Sequence, residues 1–163
     1  MAEDGRIGVL FVCTGNICRS PTAHGLFEEL IAERRLSHRF HVDSAGIEDY
    51  HIGAMPDCRS IKAAQTRGIA LAHLRARQFS RKDYTDFDVL IAMDNGHLRQ
   101  LQRQMPVDMP APPHIALLMD FVPGQEGADV PDPYYGGPQD FERVLDLVEA
   151  GCKGLLQQCI EAD

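Results

Sequence analysis

The chain has no long apolar run: none of its hydrophobic stretches approaches the ~20 residues that a membrane span needs. Positive charge is also scarce, with 16 Lys and Arg against 24 Asp and Glu and a formal net charge of -8. Nucleic-acid surfaces need clustered Lys and Arg, so that class of partner is set aside, and a membrane surface with it. The total charge says little about an active site, where local fields dominate. Cysteine is present without a framework. The five residues, Cys13, Cys18, Cys58, Cys152 and Cys159, are odd in number, and no pair has a zinc-ribbon CxxC spacing. That usage points to a reducing cytoplasm, no disulfide scaffold and no structural metal. Cys152 and Cys159 fall in a helical pattern and are expected in the core, with Cys58 structural as well. The seven histidines, His24, His38, His41, His51, His73, His97 and His114, show no metal-ligand spacing and read as surface or local hydrogen-bonding groups.

Repeats, low-complexity tracts and linkers are missing too, so residues 1–163 read as one domain, long enough for a substantial single core. The start, Met1-Ala2-Glu3-Asp4-Gly5-Arg6, is acidic and enters a strand-like run directly, which is not the pattern of a signal peptide.

What the chain does have is a sharply defined stretch near its start. Residues 6–13 form a near-continuous β-prone run, Ile7, Val9, Leu10, Phe11 and Val12, as a buried parallel strand would. It ends in Cys13, and the polar loop Thr14-Gly15-Asn16-Ile17-Cys18 follows. Arg19 and Ser20 then open a helix, with Pro21 in its first turn. Ala23, Leu26, Phe27, Leu30 and Ile31 carry that helix to about residue 34. Further strands are predicted over 39–45, 87–93 and 115–119. Helices are predicted from Pro56 and Asp57 to the stop at Gly68, over 80–87 capped by Ser80 with Asp83 completing the box, after Asp94, and over 138–160. Strands alternating with helices give an α/β three-layer sandwich, with a central four-stranded parallel sheet and a phosphate loop after the first strand. In such folds ligands bind beyond the carboxyl ends of the strands, where Cys13 falls.

The loop chemistry follows from residue types. Loop amides beside a helix N-terminus make an anion cradle and favour a thiolate at Cys13. An arginine six residues on can clamp a tetrahedral oxyanion bidentately. A thiolate attacking phosphorus also needs an acid to protonate the leaving oxygen. That acid belongs on a loop at the same end of the sheet. The irregular segment 120–137 offers Asp132, in Asp132-Pro133-Tyr134-Tyr135-Gly136-Gly137, with Asp120, Asp129 and Asp140 as competitors. Burial beside the tyrosines would raise the pKa of Asp132 towards use as an acid.

Cys13-Thr14-Gly15-Asn16-Ile17-Cys18-Arg19-Ser20-Pro21 closely resembles the phosphate loop of low-molecular-weight protein tyrosine phosphatases. The resemblance extends to Asp43-Ser44-Ala45-Gly46, Ala76-Arg77-Gln78, Met93-Asp94 and Asp132-Pro133-Tyr134-Tyr135-Gly136, in order, over essentially the whole chain. It implies Cys13 as nucleophile, Arg19 as phosphate clamp and Asp132 as general acid, with the backbone of Thr14, Gly15, Asn16, Ile17, Cys18 and Arg19 as the cradle. Ser20 would hydrogen-bond the thiolate. Asn16 would hold the loop in a strained shape, assisted by Ser44. Tyr50, Tyr134 and Tyr135 would wall a cleft deep enough to admit phosphotyrosine and leave phosphoserine short. Cys18 would either pack under the loop or trap oxidised Cys13 as a disulfide. The family's bracing histidine precedes Ala-Arg-Gln; counting back from Ala76 puts Leu74 at that place, and counting forward from Gly68 puts His73 there.

The same resemblance implies a phosphotyrosine protein or peptide as substrate, inorganic phosphate as product inhibitor, no cofactor, and a monomer. Phosphoarginine hydrolysis is the alternative on this fold, and the apolar Ile17 argues against it. Arsenate reduction needs relay cysteines, and residues 59–151 contain none. A non-catalytic phosphate-binding module would lack Cys13, Arg19 or the acid, and all three are present.

Overall fold

The computed structural model describes residues 4–162. Strand β1 (Ile7–Cys13) leads through the loop to helix α1 (Arg19–Glu33) and returns in β2 (Phe40–Gly46). There follow α2 (Cys58–Gln65), the single turn α3 (Asp83–Asp86), β3 (Val89–Ala92), α4 (Asn95–Gln104), β4 (His114–Leu117) and the long α5 (Pro138–Glu161). The four strands are all parallel, in the order β2-β1-β3-β4.

This order explains why β1 is apolar almost throughout. It is a central strand, and both its faces are covered. Val9, Phe11 and Cys13 point into a core shared with α1 and α5, around Phe27, Val148 and Cys152. Leu10 and Val12 point the other way, into a second core with Tyr84, Phe87 and Leu101. The result is three layers. From β1 the chain winds first to β2 and then, on the other side, to β3 and β4. The order therefore reverses at β1, and the crevice at its carboxyl end is where this class of sheet leaves room for a ligand.

Several boundaries differ from the sequence prediction. The fourth strand does not run over 115–119: it stops at Leu117, and Leu118–Phe121 coil into a 3-10 turn. The Asp120 carboxylate folds back to accept from the Leu117 amide at 3.2 Å, which turns the chain. Close approach of α5 holds the turn there. A methyl group on Gly154 would lie 2.0 Å from the Phe121 carbonyl oxygen, so only glycine fits that contact. Gly154→Ala should cost about 1–3 kcal/mol, read as a lower urea midpoint with an unchanged slope. A midpoint equal to that of the parent would mean the contact is loose.

The helix predicted over 80–87 is only the turn Asp83–Asp86. Ser80 does not cap it by its side chain. The Asp83 carboxylate does accept from the Ser80 amide at 2.8 Å, the Asp83 half of the expected box, and it also pairs with Arg77; the turn ends where Phe87 turns extended. The third strand is Val89–Ala92 rather than 87–93, and just past its end Asp94 caps α4 by accepting from the His97 amide at 2.9 Å. Cys152 is buried in the core, whereas Cys159 is half-buried at its margin and Cys58 is exposed at the start of α2. Cys58 is therefore not a core residue. Among the described residues no helix is long and apolar enough to cross a membrane.

Candidate active site

The loop after β1 is held in a shape that a relaxed chain would not choose. Asn16 has φ of +58° and is almost fully buried. For a non-glycine residue this left-handed backbone is strained and needs its surroundings to enforce it. Two hydrogen bonds do so: Asn16 Nδ2 donates to Ser20 Oγ at 2.7 Å, and Asn16 Oδ1 accepts from the Arg77 amide at 3.1 Å. Because Ser20 Oγ accepts from Asn16, its own hydrogen is left for Cys13 Sγ, 3.0 Å away. A proton donor is thus aimed at the sulfur.

Ser44 was expected to assist Asn16. Its hydroxyl is instead paired with His24 Nδ1 at 2.9 Å, and His24 Nε2 meets Glu28 Oε1 at 2.5 Å. His73 is exposed, and Leu74 packs at the edge of the main core. Neither reaches the loop, and the support comes from Arg77. Its Nε donates to Asp43 at 2.9 Å and its two terminal nitrogens to Asp83 at 3.0 and 2.9 Å, which fixes the backbone amide that Asn16 uses.

Arg19, the first residue of α1, is 4% exposed. Its Nη1 is fully spent, donating to Asp94 Oδ2 at 2.8 Å and to the Val130 carbonyl at 3.0 Å. Nη2 makes a long 3.4 Å contact to Thr14 Oγ1 and lies 3.7 Å from Asp132 Oδ2. Nε has no protein acceptor among the described residues, so Nε and one Nη2 hydrogen form the fork left for an oxyanion. Burial alone would raise the pKa of Asp94. The His97 amide and ring and the Arg19 guanidinium outweigh that and hold it below the usual carboxylate range.

The four candidate acids separate by what they hold. Asp129 accepts from the amide and side chain of Asn95, at 2.8 and 2.7 Å. Asp120 serves its own turn, and Asp140 accepts from the Gly137 amide at 2.8 Å. Asp132 lines the cleft above Cys13 and Arg19, with its Oδ1 accepting from the Tyr134 amide at 3.1 Å. Its side chain is 50% exposed, so the expected burial beside aromatics is not found. Tyr135 on the same loop is 95% exposed.

The cleft has a volume of about 430 Å³. Tyr50, Tyr134 and Tyr135 wall it, with the cradle residues Thr14, Gly15, Ile17 and Cys18 at its base. Tyr134 and Tyr135 meet edge to face with centroids 4.9 Å apart. A larger groove of about 790 Å³ lies between Phe87 and the proline-rich connection, at the opposite ends of the strands.

Three residues in or beside the cleft escaped the sequence reading. His51 bridges Tyr50 and Tyr134, with ring centroids 6.4 and 6.5 Å away, and it lies so close that a methyl group on Gly15 would meet its ring at 2.9 Å. Arg59 sits over the rings of Tyr134 and Phe141 at 5.5 and 4.6 Å while paired with Asp57, whose amide donates to the Ile17 carbonyl at 2.8 Å. It thereby ties the cradle to the loop of Asp132. His97 is the third, buried against Thr14. One signal for it was available: it lies three residues after a helix cap at the carboxyl end of a parallel strand, in the first turn facing the site.

A cysteine with a hydroxyl donor at its sulfur thus shares one cleft with a buried arginine whose Nη1 is held by Asp94 and Val130 and whose Nε is left without a protein acceptor among the described residues. Residues 8–163 match the family model described as low molecular weight phosphotyrosine protein phosphatase, and the chain belongs to that family. It is 43% identical over 150 residues to the low molecular weight protein-tyrosine-phosphatase YfkJ of Bacillus subtilis, covering 92% of this chain and 94% of that protein. The crystal structure of a protein tyrosine phosphatase from Entamoeba histolytica, with Hepes in its active site, is similar at a TM-score of 0.89 and 35% identity, covering 96% of this chain and 98% of that one. The Drosophila arginine phosphatase DARP is similar at 0.88 and 32% identity, covering 95% and 99%.

Proposed function

We propose that this chain, as one domain over residues 1–163, hydrolyses phosphotyrosine in proteins through a cysteinyl-phosphate intermediate. The observation that carries the reading is the convergence of Cys13, Arg19 and Asp132 in one cleft walled by tyrosines. The Cys13 thiolate attacks phosphorus, and the P–O bond to the phenol breaks. Asp132, protonated at that moment, gives its proton to the departing oxygen. Three equatorial oxygens carry the charge of the transition state, and the loop amides with the Arg19 fork are expected to meet them. Asp132, now a carboxylate, takes a proton from water as that water attacks the thiophosphate. Phosphate leaves and the thiolate is restored. The released phosphate fits the same cradle, so it is expected to inhibit as a product. The working form is taken to be a cytoplasmic monomer.

For Cys18 the burial supports the packing role, and the disulfide trap is the second role expected of it. It is buried under the loop, and burial pushes its thiol up to about 12, with Asp57 adding to the shift. As a protonated thiol it packs quietly, and it becomes a disulfide partner when Cys13 is oxidised to a sulfenic acid.

The second reading, phosphoarginine hydrolysis, draws on the likeness to the Drosophila protein. Ile17 at the base of the cleft favours an aromatic ester. Peptides carrying phosphotyrosine or phosphoarginine, assayed in parallel for released phosphate, decide between them. A kcat/KM at least tenfold higher on phosphotyrosine is expected; preference for phosphoarginine would overturn the substrate assignment.

A further inference from the structure

His97 is not used by the chemistry above, yet it is buried beside the arginine clamp. Its Nε2 lies 2.8 Å from Thr14 Oγ1. Its Nδ1 lies 3.2 Å from Asp94 Oδ1, but out of line, so that nitrogen is buried with no well-directed partner among the described residues. Asp94 and Thr14 are in turn the groups that touch the two ends of the guanidinium of Arg19. The four side chains close a ring: Arg19, Asp94, His97, Thr14 and back to Arg19.

The directions of the hydrogen bonds around this ring follow from donor and acceptor capacity. A bare Nδ1 lone pair would face the ionised Asp94 at 3.2 Å, lone pair against lone pair, so the proton of the neutral ring belongs on Nδ1. Nε2 is then an acceptor, and the Thr14 hydroxyl donates to it. With its hydrogen committed there, Thr14 Oγ1 presents only lone pairs to Nη2 of Arg19, which cannot accept. Every hydrogen in the ring has one consistent place. Burial, together with the nearby Arg19 charge, holds the His97 pKa at about 4 despite Asp94, so the ring stays neutral at ordinary pH.

We propose that His97 is a positioning residue for phosphate capture: it fixes the rotation of the Thr14 hydroxyl so that the Arg19 fork is held in the plane that receives the phosphoryl oxygens. This rests on the phosphatase reading of the site. His97→Phe keeps the ring shape and removes the acceptor at Nε2. His97→Gln returns an acceptor near that place. Thr14→Val and Thr14→Ser make the matching pair across the contact.

The experiment measures inhibition by inorganic phosphate together with kcat and KM on p-nitrophenyl phosphate, alongside the thermal midpoint of each variant. His97→Phe should weaken phosphate binding about tenfold, the weight of one hydrogen bond around a charged group, while the thermal midpoint stays within a few degrees. His97→Gln and Thr14→Ser should recover most of the loss. In a Thr14→Val background, His97→Phe should add little further, because the same contact has already gone. Full phosphate affinity in folded His97→Phe, or losses that simply add across the pair, would overturn the proposal. If His97→Phe does not fold, a Thr14→Val that binds phosphate as tightly as Thr14→Ser overturns it instead. The parent protein separates the two levels of inference. Phosphate binding with this pattern but no ester hydrolysis by the parent would defeat the phosphatase reading and leave the positioning role standing.

Discussion

Cys13→Ser is expected to remove hydrolysis of p-nitrophenyl phosphate while phosphate binding survives. The serine hydroxyl is a much weaker nucleophile than a thiolate at neutral pH, and no base stands behind it: the neighbouring group is Ser20, itself a donor towards position 13. The loss in kcat should be about 10⁴-fold or more, the scale seen when a committed nucleophile is removed. Nothing that holds the anion depends on the sulfur. The loop shape is set by Asn16, Ser20 and Arg77, and the fork of Arg19 is set by Asp94, Val130 and Thr14. The dissociation constant of phosphate, measured by calorimetry, should therefore change by less than about threefold (under 1 kcal/mol). A variant that keeps more than a hundredth of the parent rate would mean that another group attacks phosphorus. A variant that loses phosphate as well would mean that the thiol helps to build the cradle.

That separation of attack from capture was partly legible in the sequence. The apolar run of β1, the abrupt change at Cys13 and the spacing to Arg19 are local features, and local features survive in a one-dimensional reading. The position of the site followed from topology, because an apolar strand flanked by αβ units has to be central. Partners in space were not legible. Arg77 was noticed within Ala76-Arg77-Gln78, but its work depends on Asp43 and Asp83 arriving from separate segments. The same holds for His24. Its i,i+4 pairing with Glu28 along α1 follows helical spacing, but the bond to Ser44 that joins α1 to β2 is announced by no periodicity. The misjudged strand end at Leu117 has a related cause. Leu118 and Met119 are as apolar and buried as strand residues, but a tertiary contact with Gly154 and a side-chain bond from Asp120 coil them. Composition records burial there and not the direction of the chain.

Asp132→Ala should lower the rate in a way that depends on the leaving group. With phosphotyrosine the departing phenol has a pKa near ~10, so it leaves poorly unless a proton arrives with it. The loss of that donor should cost about 10²–10⁴ in kcat on such esters. With p-nitrophenyl phosphate the departing phenolate is stabilised by its own nitro group, and the loss should be smaller. A series of aryl phosphates would show this as a rate that becomes steeply dependent on phenol acidity in Asp132→Ala and is nearly flat in the parent. Position supports the choice of residue more than burial does, since the side chain is half exposed and only 3.7 Å from Nη2 of Arg19. An acid has to reach the ester oxygen on the open side of the cleft, and a fully buried carboxyl would not. Asp129→Ala makes the contrasting variant. It cuts the bonds to Asn95 at the start of α4 and should lower stability, yet leave the dependence on the leaving group as in the parent. If the steep dependence appears in Asp129→Ala and not in Asp132→Ala, the proton comes from the other end of this loop, and the role of Tyr134 in placing Asp132 goes with it.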